Sequence, residues 1–184
     1  MKEVYLISKN KTKILAAKDV FDKYKIELKG FPADYPEIQS ASSLEIARHT
    51  VCQAIKDTDL PVIREDHSIF LRAINGPGPY ASYFEKQIPA EDLLKIMNNF
   101  IDRSGYFEVA SVYGTTDKQL LEYVFQVPFK ISKEIRGVSQ DGWSGLIILD
   151  GEKRTLAEYP EEERTHIWGR GYEKIARHIV KNKG

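Results

Sequence analysis

Two adjacent carboxylates, Glu65 and Asp66, are the residues of this sequence best suited to chemistry. They follow an apolar run at residues 61–63 and then Arg64. A strand that ends in acids brings charge to the edge of an open α/β sheet, where such folds place their ligands. Neighbouring carboxylates can bind a hard cation such as Mg²⁺, or one can act as a base while the other holds metal. An exposed acidic turn is the simpler alternative.

A second polar segment, residues 8–13, lies between a predicted first strand at residues 4–7 and a helical pattern. Free backbone N–H groups at a helix start, together with the lysines of this turn, can bind an anion. The segment lacks the glycines of a Walker loop. A solvated lysine-rich helix start is the alternative interpretation.

The remaining pattern predicts a mixed α/β protein. A helix capped by Ser42 or Ser43 leads back to the strand at residue 61, and this βαβ-like unit favours a partly parallel sheet. Two long strands, residues 106–113 and 120–131, predict a hairpin joined at residues 115–118. At 184 residues, the chain fits one domain, or one domain with two lobes around a cleft.

Composition limits the classes of function. The chain has 27 Lys and Arg against 27 Asp and Glu, so no basic field favours nucleic acid. No apolar run approaches the ~20 residues of a membrane span, and no secretory signal opens the sequence. The lone Cys52 fits a reducing compartment. We therefore expect a cytoplasmic protein with neither nucleic acid nor a membrane as partner.

Taken together, these segments resemble the inosine triphosphate pyrophosphatase (Ham1-like) family, which acts on noncanonical purine nucleoside triphosphates. No single motif is decisive, but about eight occur in the family's order along nearly the whole chain. They are Ser8, Asn10 and Lys13 of S-x-N-x-x-K, Glu37 of EIQ, Glu65-Asp66, GPGPY at 76–80, D-R-S-x-Y from Asp102, Arg136-Gly137, Gly142-Trp143 and T-x-A-E from Thr155.

The resemblance implies a long mixed central β-sheet flanked by helices, a nucleotide cleft between two lobes, and a homodimer. It also implies Mg²⁺-dependent hydrolysis of ITP, dITP or XTP to the monophosphate and pyrophosphate. Glu37 and Asp66 would hold the metal with Glu65 beside them, and Asp66 would position or deprotonate the attacking water. The implied phosphate-binding residues are Ser8, Asn10 and Lys13.

The sequence departs from this family where the base is recognised. A stacking phenylalanine is replaced by Asp141, and an aspartate three residues later is replaced by Ser144. A lysine is replaced by Arg164, and a Ser-His-Arg run reads Trp168-Gly169-Arg170. His67, after the acidic pair, either touches phosphate or lies at the cleft mouth. The candidate substrate-binding residues are Ser8, Asn10, Lys13, His67, Asp141, Trp143, Ser144, Arg164, Trp168 and Arg170.

One family cation is also missing, because a helix lysine is Thr50 here. Arg48 lies on another face of that helix and is a poor replacement. Arg64 is a candidate replacement, although we expect strand alternation to turn it away from Asp66.

Three functions follow as hypotheses: an enzyme with a changed base preference, a family enzyme with a rebuilt pocket, and a degenerate paralogue that binds nucleotide or a protein without turnover. Three acids facing one metal site would favour an enzyme. For the base, we expect Trp168 to cover it, Arg170 to read its edge and Asp141 to favour a hydrogen-bond donor. Alternatively, Trp168 packs beneath the last helix.

Overall fold

The computed structural model describes residues 2–117, 119–138 and 142–181. Within these ranges strands and helices alternate only as far as the third strand, and a fourth strand, two helices and three strands follow. Two 3₁₀ turns, Leu156–Glu158 and Glu161–Arg164, precede the last two helices. The strands are β1 (Lys2–Leu6), β2 (Ile26–Gly30), β3 (Val62–Leu71), β4 (Gly76–Gly78), β5 (Ser104–Gly114), β6 (Leu120–Ile131) and β7 (Ile147–Leu149). The helices are α1 (Lys11–Lys23), α2 (Ser43–Asp57), α3 (Ala81–Gln87), α4 (Ala90–Met97), α5 (Thr165–Trp168) and α6 (Arg170–Lys181).

The strands form a mixed sheet in the order β2-β1-β3-β5-β6-β7, with β4 paired to β3. β1 runs parallel to both β2 and β3, whereas β3–β4 and β6–β7 are antiparallel. The predicted mixed α/β class is confirmed, and α2 is the predicted connection between β2 and β3. Its N-cap is Ser42, whose hydroxyl accepts from the backbone N–H of Glu45 at 3.3 Å.

β3 is longer than the sequence predicted, because Glu65 and Asp66 lie inside the strand and do not end it. β1 ends at Leu6, which is paired with Ile63, so the parallel ladder stops two residues before the acids. The strand then continues and pairs with β4 from Ile69 onward. The acids therefore lie just beyond the end of the β1–β3 ladder, although not at the end of a strand.

The chain divides into two compact units. The first takes its described residues from Met1–Asp66, Val109–Phe125 and Thr165–Gly184, and the second from His67–Glu108 and Gln126–Arg164. The prediction of one domain with two lobes stays a prediction. In the first unit a core cluster joins β1, β3, α2 and β5, and α1 packs on α5 and α6. In the second unit the largest fully buried side chains are Leu71, Leu93, Met97, Trp143, Leu146 and Ile147.

The link between β5 and β6 closes with a hydrogen bond from the backbone N–H of Thr115 to the carbonyl of Gln119 at 3.3 Å. Lys118 of the predicted hairpin turn lies outside the described residues. None of the helices in the described ranges has the length and apolar character that crossing a membrane would need.

Candidate active site

The turn after β1 is shaped by residues that the sequence predicted to bind phosphate. The backbone N–H of Asn10 donates to Ser8 Oγ at 3.1 Å, and Asn10 Oδ1 accepts from the backbone N–H of Lys13 at 3.2 Å. Asn10 is thus the N-cap of α1 and satisfies one of the free donors of its first turn. Because that turn holds no acidic residue, its remaining N–H groups keep the partial positive charge of a helix start.

Lys13 reaches from α1 to β3. Its Nζ donates to the backbone carbonyl of Glu65 at 2.9 Å. Loss of water around the ammonium lowers the pKa of Lys13, and the negative charges of Glu65 and Asp66 oppose this shift. Arg64 and Glu37 act on the same ammonium. Lys13 and the four charged residues that act on it therefore all belong to the first unit.

Glu65 is buried on the inner face of β3, with 1% of its surface exposed. Ser111 of β5 donates from Oγ to Glu65 Oε2 at 3.3 Å. Burial, and then the negative charge of Glu65, raise the pKa of the Tyr172 phenol well above its ordinary value. Gly171 brings α6 close to this site, since a Cβ there would lie 3.8 Å from Glu65 Oε2. Glu65 is therefore surrounded by polar groups of β5 and α6.

Arg64 and Asp66 lie on the opposite face of β3, where both are half-buried. Our expectation that alternation turns Arg64 away from Asp66 is wrong, because residues two apart on a strand share a face. The guanidinium of Arg64 donates from Nη1 to the carbonyl of Ile7 at 3.0 Å and pairs through Nη2 with Glu37. Arg64 thus connects the end of β1 to the loop that carries Glu37.

The three acids do not gather around one point in this structure. Carboxylate oxygens suit a hard cation such as Mg²⁺, so the donor type of Glu37 and Asp66 fits the predicted metal. Within the described ranges, however, no three His, Cys, Asp or Glu side chains form a metal-binding group. Glu37 pairs with Arg64, and Glu65 lies on the other face. The metal stays a prediction that depends on Glu37 and Asp66.

Neither Thr50 nor Arg48 of α2 supplies the positive charge of the family lysine that Thr50 replaces. Thr50 is buried and its hydroxyl donates to the carbonyl of Ile46 at 3.1 Å. Arg48 pairs with Glu122 of β6, donating from Nε and Nη2 at 2.5 and 2.9 Å. Both positions are therefore occupied by structural contacts, which leaves Arg64 as the candidate replacement.

Trp143 belongs to the core of the second unit. It is 1% exposed, and its indole Nε1 donates to the carbonyl of Ile88 at 2.8 Å. Its backbone N–H donates to Glu85 of α3 at 3.3 Å. Gly142 has a φ of +54°, a left-handed backbone conformation that favours glycine, and it lies beside the carboxylate of Glu85. These contacts hold Trp143 in place, within the segment for which the sequence predicted recognition of the base.

The other predicted base-side residues of the second unit lie in different surroundings. Ser144 is buried, and its carbonyl accepts from the backbone N–H of Ala157 at 3.1 Å. His67 and Arg164 are half-buried. Asp141 lies outside the described residues. Their roles toward a base stay predictions.

Trp168 and Arg170 belong to the first unit. Trp168 is buried, at the end of α5, and α5 packs on α1. This position agrees with the packing alternative for Trp168, whereas a contact with the base stays a prediction. Arg170 is exposed, and its guanidinium lies 5.6 Å from the ring centroid of Phe125. Of the two, Arg170 has the side chain that is open to a ligand.

Sequence reasoning missed the partners of the acids. The hydroxyl of Tyr172, close to Glu65, was not foreseen. Ser111 is a polar residue in an otherwise apolar stretch of β5, and this was the one local signal for a buried polar site. The pairing of Arg64 with Glu37 has no local signal, since it joins residues 27 positions apart.

Comparison with known proteins places the chain among relatives of similar length. The dITP/XTP pyrophosphatase of Ignicoccus hospitalis is 32% identical over 182 residues, which are 97% of each chain. That of Methanopyrus kandleri is 33% identical over 152 residues, covering 82% of this chain and 81% of the relative. The HAM1 protein of Coxiella burnetii has the same fold, with a TM-score of 0.81, 22% identity and coverage of 98% and 100%. The Ham1 family model matches residues 4–173, and the chain belongs to the Ham1 family.

Proposed function

We propose that this protein hydrolyses nucleoside triphosphates of noncanonical purines, such as ITP, dITP and XTP, to the monophosphate and pyrophosphate. Relatives named dITP/XTP pyrophosphatase, aligned over nearly the whole chain, support this proposal. The observation that carries it is the arrangement beyond the β1–β3 ladder. There an electropositive helix start, the partly desolvated Lys13 and the half-buried Asp66 belong to one compact unit.

The phosphates bind at the start of α1. Ser8 and Asn10 fold the turn through side-chain contacts with backbone N–H groups, and the partial positive charge of the helix start favours phosphate oxygens there. Lys13 adds a positive charge that is held in place by the carbonyl of Glu65. Such a site positions the chain of phosphates and stabilises negative charge, which is most of what phosphoryl transfer requires.

The reaction is attack by water on the α-phosphorus. Asp66 accepts a proton from the water as its oxygen bonds to the α-phosphorus. The bond between that phosphorus and the oxygen leading to the β-phosphate breaks, and pyrophosphate leaves with the electron pair. Glu37 and Asp66 would hold Mg²⁺, which when bound withdraws charge from the phosphate oxygens.

The base preference is the part of the function that we expect to differ from the family's. The replaced phenylalanine position is Asp141, and the two tryptophans are buried. Arg170 then provides donors for an edge of the base. The family resemblance further supports a homodimer, and the lone Cys52 fits a reducing cytoplasm.

The test is an assay for pyrophosphate release across ordinary and deaminated nucleoside triphosphates with Mg²⁺. We expect pyrophosphate and a monophosphate as primary products. Orthophosphate with a diphosphate would instead indicate attack at the γ-phosphorus and contradict the proposal. If nucleotides raise the melting temperature but none is cleaved, the protein is a nucleotide-binding paralogue.

Asp66→Asn should remove nearly all turnover without unfolding the protein, because it deletes the proposed base. Glu37→Gln should weaken the dependence on Mg²⁺. Asp59→Asn is a matched control, since Asp59 is an exposed acid just before β3. Turnover of Asp66→Asn at the parent rate would show that the proposed mechanism is wrong.

A further inference from the structure

Arg64 is held at the edge of the candidate site by two partners of different kinds. Its side chain is only 16% exposed, and Nη1 donates to the carbonyl of Ile7 at 3.0 Å. Ile7 immediately precedes the Ser8 turn. This backbone contact places the guanidinium beside the segment that binds phosphate in the proposed function.

The second partner, Glu37, is open to solvent. Its side chain is 58% exposed, and it lies in the loop between β2 and α2. Water competes strongly for an ion pair of which one member is exposed, so such a pair is readily exchanged. Arg64 Nε is also buried with no hydrogen-bond partner among the described residues. The guanidinium therefore has donors for a further acceptor.

The chemistry of that acceptor follows from the guanidinium. Its planar donors match the oxygens of a phosphate, which can accept two parallel hydrogen bonds. Lys13, the other cation of the cluster, already donates to the carbonyl of Glu65. A phosphate that enters the Ser8 turn would carry more negative charge than one carboxylate and would compete with Glu37 for Arg64.

We propose that Arg64 is a phosphate-binding residue that Glu37 holds in place, and that an incoming triphosphate displaces Glu37 from Nη2. This inference rests on the proposed function, since it places the phosphates beside Ile7 and Ser8. It assigns to Arg64 the positive charge that is absent at Thr50. It also gives Glu37 a role in the free protein, because its carboxylate is released only when phosphate arrives.

The test uses inorganic tripolyphosphate with a metal chelator, so that neither turnover nor a metal enters. Binding is measured from the rise of melting temperature with tripolyphosphate concentration, which also detects weak affinity. Glu37→Gln should bind at least about 5-fold more tightly than the parent, because Arg64 is released. Arg64→Ala should bind more weakly, and in Arg64→Ala/Glu37→Gln the gain should disappear. Arg64→Gln repeats the comparison if Arg64→Ala does not fold.

Two controls separate this exchange from a general effect of charge. Glu122→Gln releases Arg48 from an equivalent pair elsewhere in the first unit and should give no gain. Sodium chloride at matched ionic strength corrects for screening. An equal gain from Glu37→Gln in the Arg64→Ala background would overturn the proposal, because independent effects add. A response to tripolyphosphate in neither parent nor Glu37→Gln would overturn it too.

The pyrophosphate assay separates this inference from the proposed function. If the parent protein cleaves ITP but the effects of Arg64→Ala and Glu37→Gln on tripolyphosphate binding add, only the proposed role of Arg64 is refuted. The proposed function then stands. If the parent protein cleaves no nucleotide but the two substitutions have non-additive effects on tripolyphosphate binding, the enzymatic function is refuted. Arg64 then remains a phosphate-binding residue.

Discussion

Gly171→Ala should destabilise the first unit through one contact. A Cβ at position 171 would lie 2.0 Å from Ser111 Oγ and 2.7 Å from Ser111 Cβ. Ser111 is fully buried in β5, and its Cβ is fixed by the strand backbone, so it cannot rotate away. Overpacking of this kind costs about 1–3 kcal/mol, and a contact this short belongs at the upper end.

Helix propensity works in the opposite direction. Alanine is favoured over glycine in a helix by roughly 0.5–1 kcal/mol. The net loss for Gly171→Ala is then about 2 kcal/mol, which corresponds to a fall in melting temperature of about 4–8 °C for a chain of this size.

The assay is a set of urea and thermal unfolding curves for Gly171→Ala, Ser111→Gly and the double variant. Ser111→Gly removes both clashing atoms, so adding Gly171→Ala to it should cost little or even stabilise. The matched control is Gly30→Ala, since a Cβ at Gly30 meets nothing within 4 Å. If Gly171→Ala cost the same in both backgrounds, or nothing in the parent, the packing of α6 against Ser111 would be wrong.

Two further predictions concern side chains with an assigned structural role. Trp168→Ala should cost about 3–5 kcal/mol and keep the ranking of nucleotide substrates, because the indole is buried; a changed ranking with little loss of melting temperature would contradict the packing role. Arg48 lowers the pKa of Glu122 below its ordinary value of 4.5, so their pair stabilises fully above that pH and less as pH falls through the folded pKa. The stability difference between the parent and Arg48→Ala should therefore shrink below pH 4.5 in urea titrations, and a difference that grew toward acid pH would count against the pair.

Much of the fold could be predicted because the signals are local. The bounds of β6, Leu120–Ile131, agree with the prediction, since apolar residues alternate along its second half. Asn10 and Ser42 have the side chains that cap helices, and both do so. β3 was predicted too short because residues 64–67 are polar on both faces, which hides the alternation of a continuous strand.

The site could be predicted only by residue type, because its contacts join distant parts of the chain. Glu65 contacts Ser111, 46 residues away, and its environment includes Tyr172 of α6. Which partner an acid takes depends on how β3, β5 and α6 pack, and no pattern within β3 encodes this. Sequence reasoning could therefore propose three acids for one site, but it could not say which face of the sheet or which partner each acid takes.

The positions of the two acids of β3 follow from the geometry of that strand. Glu65 and Asp66 are adjacent in sequence, so a strand must send their side chains to opposite faces. Glu65 takes the buried face, where the Ser111 hydroxyl donates to its carboxylate. Asp66 shares its face with Arg64, and Arg64 holds Glu37. Glu65 thus has a structural contact of its own with Ser111, and three acids facing one metal no longer distinguish an enzyme from a binding protein. That distinction now depends on Asp66 and Glu37, the two acids on which substitution should change turnover or metal dependence without removing a buried contact.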